Sequence, residues 1–242
     1  MDRTPQMEWL STSLYAHRGL HDLAKGVPEN SRAAFDAAAE AGYGIELDTR
    51  LSADGEPVVF HDRTLDALTD NTGPVAALTA EELGRCHLLE TAETIPRLQD
   101  ALQVVAGRAP VLIEIKSHIQ SIGLLEQAVR DVIDAYDGPC AILSFNPYSV
   151  RWFCKFAAHI PRGRTIIGLI STSGGMPIWR RLLLRSSAAM VRCDPHFYAY
   201  DLPALRRGRN RVPVIAWTVR SSHEQGIAQR RANSFIFENM KP

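Results

Sequence analysis

The chain has 242 residues, 45% of them hydrophobic and 22% charged, and its 27 basic and 27 acidic side chains cancel to a formal net charge of zero. Such a composition supplies a large core and excludes both a disordered chain and the diffuse positive field of a general nucleic-acid binder. No stretch approaches the ~20 apolar residues of a membrane span, and the opening Met1-Asp2-Arg3-Thr4-Pro5 has no apolar run of the kind a secretory signal needs, so the expectation is a soluble, cytoplasmic protein without stable membrane insertion.

Short β-branched runs alternate with helical stripes, which argues for parallel strands joined by crossovers, and the length suits one (β/α)8 barrel of about 250 residues. A single domain over 1–242 is therefore expected, with strands near 13–17, 44–50, 111–116, 139–144, 164–170, 188–193, 212–218 and 234–238. Three intervening helices show a buried stripe: Ala34, Ala37, Ala38 and Ala41; Leu98, Ala101, Leu102 and Val105; Leu125, Ala128, Val129 and Val132. Gly42, Gly107 and Gly138 stand where these helices should stop. Pro57-Val58-Val59-Phe60-His61 breaks the alternation, because the Asp54-Gly55 turn before it is too short for a parallel crossover and forces a hairpin. Residues 62–95 then form a small insertion after strand 2 and over the barrel mouth, with a turn at Asp70–Pro74 and a helical Thr79–Leu83. The sequence runs four residues past the last strand, to Pro242, which predicts a barrel with no eighth helix, its bottom covered by the segment before residue 13.

Period-two alternation turns Glu46 and Asp48 to the same side of their strand, and Glu114 and Lys116 repeat the pattern between Ile113 and Ile115. Buried charge is too costly to be incidental, and the C-terminal strand ends are where barrel active sites lie. Three converging carboxylates repel one another and any anionic ester, which a hard divalent cation resolves; oxygen ligands select Mg²⁺, Ca²⁺ or Mn²⁺ over zinc. A buried Glu114–Lys116 salt bridge with no ligand is the plainer reading of the same residues. His17 and His61 end two different strands and suit an acid and a base, Arg18 offers a planar fork for phosphate oxygens, and Lys116 a point charge.

Asn30 and Ser31 read as the N-cap region of the first long helix, with Glu29 within reach of the site. Trp217 is either a substrate wall or barrel core. His21, His87, His118, His159, His196 and His223 are expected to be structural, and Cys86, Cys140, Cys154 and Cys193, scattered along the chain, to be reduced and mostly buried. The basic runs Arg180, Arg181, Arg185 and Arg206, Arg207, Arg209, Arg211 are expected on solvated helix faces rather than on an RNA or an anionic membrane.

His17-Arg18-Gly19, Pro28-Glu29-Asn30-Ser31, the run Ile45 to Gly55, Val58-Val59-Phe60-His61-Asp62, Leu112 to Lys116 and Ala216-Trp217-Thr218-Val219 form an ordered set spanning residues 16–219 that resembles the glycerophosphodiester phosphodiesterase family. Ser31 stands where threonine is common, and the C-terminal Phe235-Ile236-Phe237-Glu238-Asn239 matches more loosely. The resemblance implies a TIM barrel of the phospholipase C-like class. It also implies one divalent cation, Mg²⁺ or Ca²⁺, held by Glu46, Asp48 and Glu114, with His17 and His61 as the acid/base pair and Arg18 and Lys116 on the phosphate. The expected reaction converts a small glycerophosphodiester to glycerol 3-phosphate and an alcohol. Phospholipase D-like cleavage of lysophospholipids and a non-catalytic phosphodiester-binding barrel are the alternatives, and the oligomeric state stays open.

Overall fold

The computed structural model describes residues 7–117, 121–168, 177–179, 181–182, 193–205 and 211–242. Nine strands are found there: β1 (Tyr15–His17), β2 (Gly44–Leu51), β3 (Pro57–Val59), β4 (Val111–Ile115), β5 (Cys140–Ser144), β6 (Arg162–Ile166), β7 (Phe197–Asp201), β8 (Val214–Val219) and β9 (Ser234–Phe237). Eight of them pair in parallel in the order β1-β9-β8-β7-β6-β5-β4-β2, and the β1–β2 pairing closes the ring. With helices between the strands, this is a TIM (β/α)8 barrel. β3 lies outside the ring, antiparallel to β2 with Thr49 opposite Val59, as the short turn requires.

The barrel interior is filled by side chains of unequal size. Tyr15, Leu112, Leu143, Phe197, Ile215 and Ile236 form its packed centre. A methyl at Gly44 would lie 2.6 Å from the Tyr15 ring, and one at Gly163 would lie 2.2 Å from the Phe197 ring. Glycine at those two strand positions is what lets a large ring sit opposite. The short helix α1 (Trp9–Thr12) closes the N-terminal end of the barrel: Leu10 is fully buried in the interior cluster and the Tyr15 hydroxyl donates to the Trp9 carbonyl at 2.8 Å.

Outside the ring lie α2 (Arg32–Glu40), α3 (Ala80–Leu83), α4 (Leu98–Val105), α5 (Leu124–Asp134), α6 (Pro147–Phe156) and α7 (Ser222–Arg231). α4 buries Leu98, Ala101, Leu102 and Val105, as its stripe predicts. The faces of α2 and α5 are rotated from expectation. α2 buries Ala34, Phe35, Ala38 and Ala39, leaving Ala37 half-buried and Ala41 exposed, because the ring of Phe35 carries the apolar area that an alanine count overlooks. In α5, Ile133 takes the buried place expected of Val132, while Ala128 is half-buried.

The insertion has a core of its own. Val58 and Phe60 from the hairpin pack with Leu65, Val75, Leu83, Leu88 and Ile95, and Thr79 and Glu82 form a reciprocal cap on α3. Of the strand expected at 188–193, residues 188–192 lie outside the described residues; the described strand before β8 is Phe197–Asp201, which buries Phe197, Ala199 and Asp201 in alternation with half-buried tyrosines and has no β-branched residue. β6 starts at Arg162, two residues earlier than predicted. No helix follows β9 in residues 238–242. Among the described residues, no helix is long and apolar enough to cross a membrane.

Candidate active site

Neighbouring strands set the register of the site. β1 places His17 beside Glu46 of β2, and β2 places Asp48 beside Glu114 of β4. Glu46, Asp48 and Glu114 are 2%, 1% and 7% exposed, and one oxygen from each lies within 4.8 Å of the others. The three carboxylates the sequence singles out are thus brought together, and their all-oxygen set could hold a hard divalent cation.

The charges around them do not balance. Lys116 Nζ lies 2.9 Å from both Asp48 Oδ1 and Glu114 Oε1, and Arg18 Nε lies 3.2 Å from Asp48 Oδ2. The Glu114–Lys116 pair that a purely structural site would need is present, yet Glu46 receives little from it: the Arg18 backbone N–H donates to its Oε2 at 3.2 Å, and His17 Nε2 stands 3.8 Å away. Burial, reinforced by the Asp48 and Glu114 charges, pushes the Glu46 carboxyl well above its ordinary range, and burial also raises Glu114. Burial pulls Asp48 the same way, but Lys116 and Arg18 outweigh it and hold Asp48 well below. Among the described residues, Lys116 and Arg18 pair with Asp48 and Glu114, while no lysine or arginine side chain forms an ion pair with Glu46.

His17 ends β1 with Nδ1 3.1 Å from Glu238 Oε1, and His61 follows the hairpin with Nδ1 2.6 Å from Asp62 Oδ1. Burial lowers both imidazoles from their ordinary value, against the neighbouring carboxylates that raise them. The Arg50 guanidinium donates to the His61 carbonyl and fixes the end of the hairpin. Arg18 donates through Nη1 to Glu29 Oε1 at 2.6 Å, which brings Glu29 to the edge of the site as expected.

Two residues escaped the sequence reading. Ser31 is the N-cap of α2, accepting from the Ala34 N–H, but Asn30 is not a cap. Asn30 sits at a φ of 55°, is 2% exposed, and donates through Nδ2 to Asp48 Oδ2 at 3.0 Å while accepting from the Asp48 N–H. Asparagine tolerates that left-handed backbone better than most residues, which was the available signal. The other is Glu238, the first residue after β9, whose Oε1 lies 3.6 Å from His21 Nε2. Trp217 packs edge-to-face on Phe145 at 5.5 Å and against the interior cluster, and its indole N–H is buried with no hydrogen-bond partner among the described residues. A shallow cleft opens beside the site, walled by Phe60, Leu68, Leu88 and Leu89 with Glu29 and His61 at its polar edge.

Residues 17–236 match the model of the glycerophosphoryl diester phosphodiesterase family. A glycerophosphodiester phosphodiesterase of Caldanaerobacter subterraneus subsp. tengcongensis is 35% identical over 222 residues, 87% of this chain and 86% of that one. Among solved structures, a phosphodiesterase of Oleispira antarctica in complex with the product sn-glycerol-3-phosphate superposes with a TM-score of 0.75 at 21% identity, over 95% of this chain and 94% of the other. A glycerophosphodiester phosphodiesterase of Thermotoga maritima gives a TM-score of 0.68 at 23% identity, over 93% and 94%. A closed barrel with buried acids and two histidines at its mouth defines a class of phosphodiester-cleaving enzyme. The chain belongs to the glycerophosphoryl diester phosphodiesterase family and is an enzyme of that kind.

Proposed function

We propose that the protein hydrolyses glycerophosphodiesters to glycerol 3-phosphate and an alcohol, using one divalent cation, Mg²⁺ or Ca²⁺, held by Glu46, Asp48 and Glu114. The observation that carries the reading is the cluster of three buried carboxylate oxygens within 4.8 Å of one another, with no lysine or arginine side chain among the described residues paired to Glu46. Glu46, Asp48 and Glu114 would hold the cation, which when bound would supply positive charge to the cluster and electrostatic stabilisation to the phosphoryl oxygens. Arg18 and Lys116, both kept charged by Asp48 and its neighbours, bind the remaining phosphate oxygens. One of His17 and His61, as a neutral imidazole, takes a proton from water or from the neighbouring glycerol hydroxyl, and the other, as an imidazolium, gives one to the leaving alkoxide. Each ring has its Nδ1 tied to a carboxylate, which leaves Nε2 for that transfer. Trp217 walls the substrate, with its indole N–H, which has no partner among the described residues, available to a polar group. The product named in the Oleispira complex supports glycerol 3-phosphate as the product here. The test is to supply purified protein with glycerophosphocholine or glycerophosphoethanolamine and either cation; absence of glycerol 3-phosphate with both substrates and both cations would refute the reading.

One observation favours a second substrate class, lysophospholipids at a lipid surface. Ile178, Trp179 and Leu182 are 59%, 63% and 49% exposed, and Arg181 between them donates to the carbonyl of Gly168, just past the end of β6 and therefore on the mouth side. Such apolar exposure suits a lipid interface. Lysophosphatidic or cyclic phosphate product from a lyso-lipid would establish it.

A further inference from the structure

Glu238 is the first residue after β9, and the pairing of β9 with β1 that closes the ring sets it beside His17. Its side chain is 11% exposed, and its two oxygens have different partners. Oε1 meets His17 Nδ1 at 3.1 Å and His21 Nε2 at 3.6 Å, while Oε2 accepts from Nε of Arg220, the residue after β8. Burial pushes the Glu238 carboxyl up, but His17, His21 and Arg220 overcome it and hold the group well below the usual range, so it is a carboxylate. An ionised carboxylate has acceptors and no donor. His17 must therefore donate from Nδ1, and its free lone pair lies on Nε2, the nitrogen that faces Glu46.

We propose that Glu238 is a positioning residue that fixes His17 in the Nδ1–H tautomer, making Nε2 the atom that exchanges a proton with the reactants. The inference rests on the proton-transfer role given to His17 above. It explains why a charged residue ends the closing strand at a point where the motif set is loosest. It also gives Arg220 a part: by occupying Oε2, it fixes which oxygen faces His17.

That arrangement makes Glu238→Gln a sharp test. The amide has one acceptor, which the Arg220 donor draws to itself, so the NH₂ faces His17 Nδ1 and forces the proton onto Nε2. His21 Nε2 donates in one tautomer of its own ring and accepts in the other, so it does not dictate the amide's orientation. The readout is long-range ¹H–¹⁵N spectroscopy of histidine-labelled protein at about pH 8.5, above the ordinary imidazole range. His17 is assigned by the signals lost in His17→Ala, and kcat, KM and Mg²⁺ affinity by calorimetry are measured alongside. The wild type should show the Nδ1–H tautomer and Glu238→Gln the Nε2–H tautomer. In that variant kcat should fall by about 10²-fold or more, as a wrong tautomer does elsewhere, with KM and Mg²⁺ affinity little changed. Glu238→Gln with Arg220→Ala frees the amide to turn its oxygen to His17 and should restore the Nδ1–H tautomer and about tenfold of the lost rate. A wild-type Nε2–H tautomer, or the same tautomer in wild type and Glu238→Gln, overturns the inference whatever the rate. A switched tautomer at undiminished kcat also overturns it, by removing the catalytic consequence. An active His17→Ala would instead show that the role of His17 is what failed.

Discussion

At the scale of single residues, the two histidines and Glu46 carry the sharpest expectations. His17→Ala and His61→Ala should each lower kcat by about 10²-fold or more, the usual worth of general acid–base catalysis, with circular dichroism unchanged; a wild-type rate in either variant removes that ring from the mechanism. Glu46 links the site to stability. In cation-free protein, Glu46 and Glu114 have folded-state pKa values above those of the unfolded chain, so the native state holds protons that the unfolded chain has released. Stability should then fall as pH rises from the ordinary glutamate value of about 4.3 through the raised native values. Asp48, held low, acts oppositely and loses its contribution in more acid solution. Glu46→Gln keeps the neutral form at every pH, so near pH 7 in EDTA it should have the higher urea midpoint. Saturating Mg²⁺ should reverse the order by stabilising the wild type. Equal midpoints in EDTA from pH 5 to 8, a range on the scale of ordinary carboxyl and imidazole titration, would show that Glu46 bears no unfavourable charge.

At the scale of elements, close packing across the barrel sets the tolerances. Gly44→Ala would drive a methyl to 2.6 Å from a Tyr15 ring that cannot swing away without losing the hydroxyl bond to Trp9. Such overpacking should cost about 1–3 kcal/mol, read as a lower urea midpoint at constant m-value; an unchanged midpoint would mean that the ring yields freely. The same packing explains which elements were legible. β2 and β4 stood out because charges at alternate positions of an apolar strand have few explanations, and α4 because its stripe is made of large residues. β7 was missed because its inward residues, Phe197 and Ala199, alternate with tyrosines and offer no β-branched run. The α2 face was misjudged because small alanines define a helical face weakly beside one phenylalanine. Candidate site residues at strand ends stand out in the local pattern, whereas the contacts of Asn30 and Glu238 do not: their partners, Asp48 and His17, are brought to them by crossover and ring closure.

At the scale of the whole molecule, the surface around the mouth bears on the proposed substrate and the carboxylate cluster on the proposed chemistry. The insertion contains no Phe, Tyr or Trp between residues 62 and 95, and Leu65, Leu83 and Leu88 are turned into its own core. On that account glycerophosphocholine or glycerophosphoethanolamine should be cut with a higher kcat/KM than the matching lysophospholipids, both measured below the micelle threshold. A clear preference for the lyso-lipid would transfer the weight to the exposed Ile178, Trp179 and Leu182. Either substrate meets the same three acids, whose mutual repulsion must be answered before an anionic ester can enter. The decisive measurement is turnover of glycerophosphoethanolamine after exhaustive dialysis against EDTA, followed by titration with Mg²⁺ or Ca²⁺, for the wild type and for Glu46→Ala. The account predicts no turnover in EDTA, saturable recovery in the wild type and little or none in the variant; full activity in EDTA, or in Glu46→Ala, would contradict it.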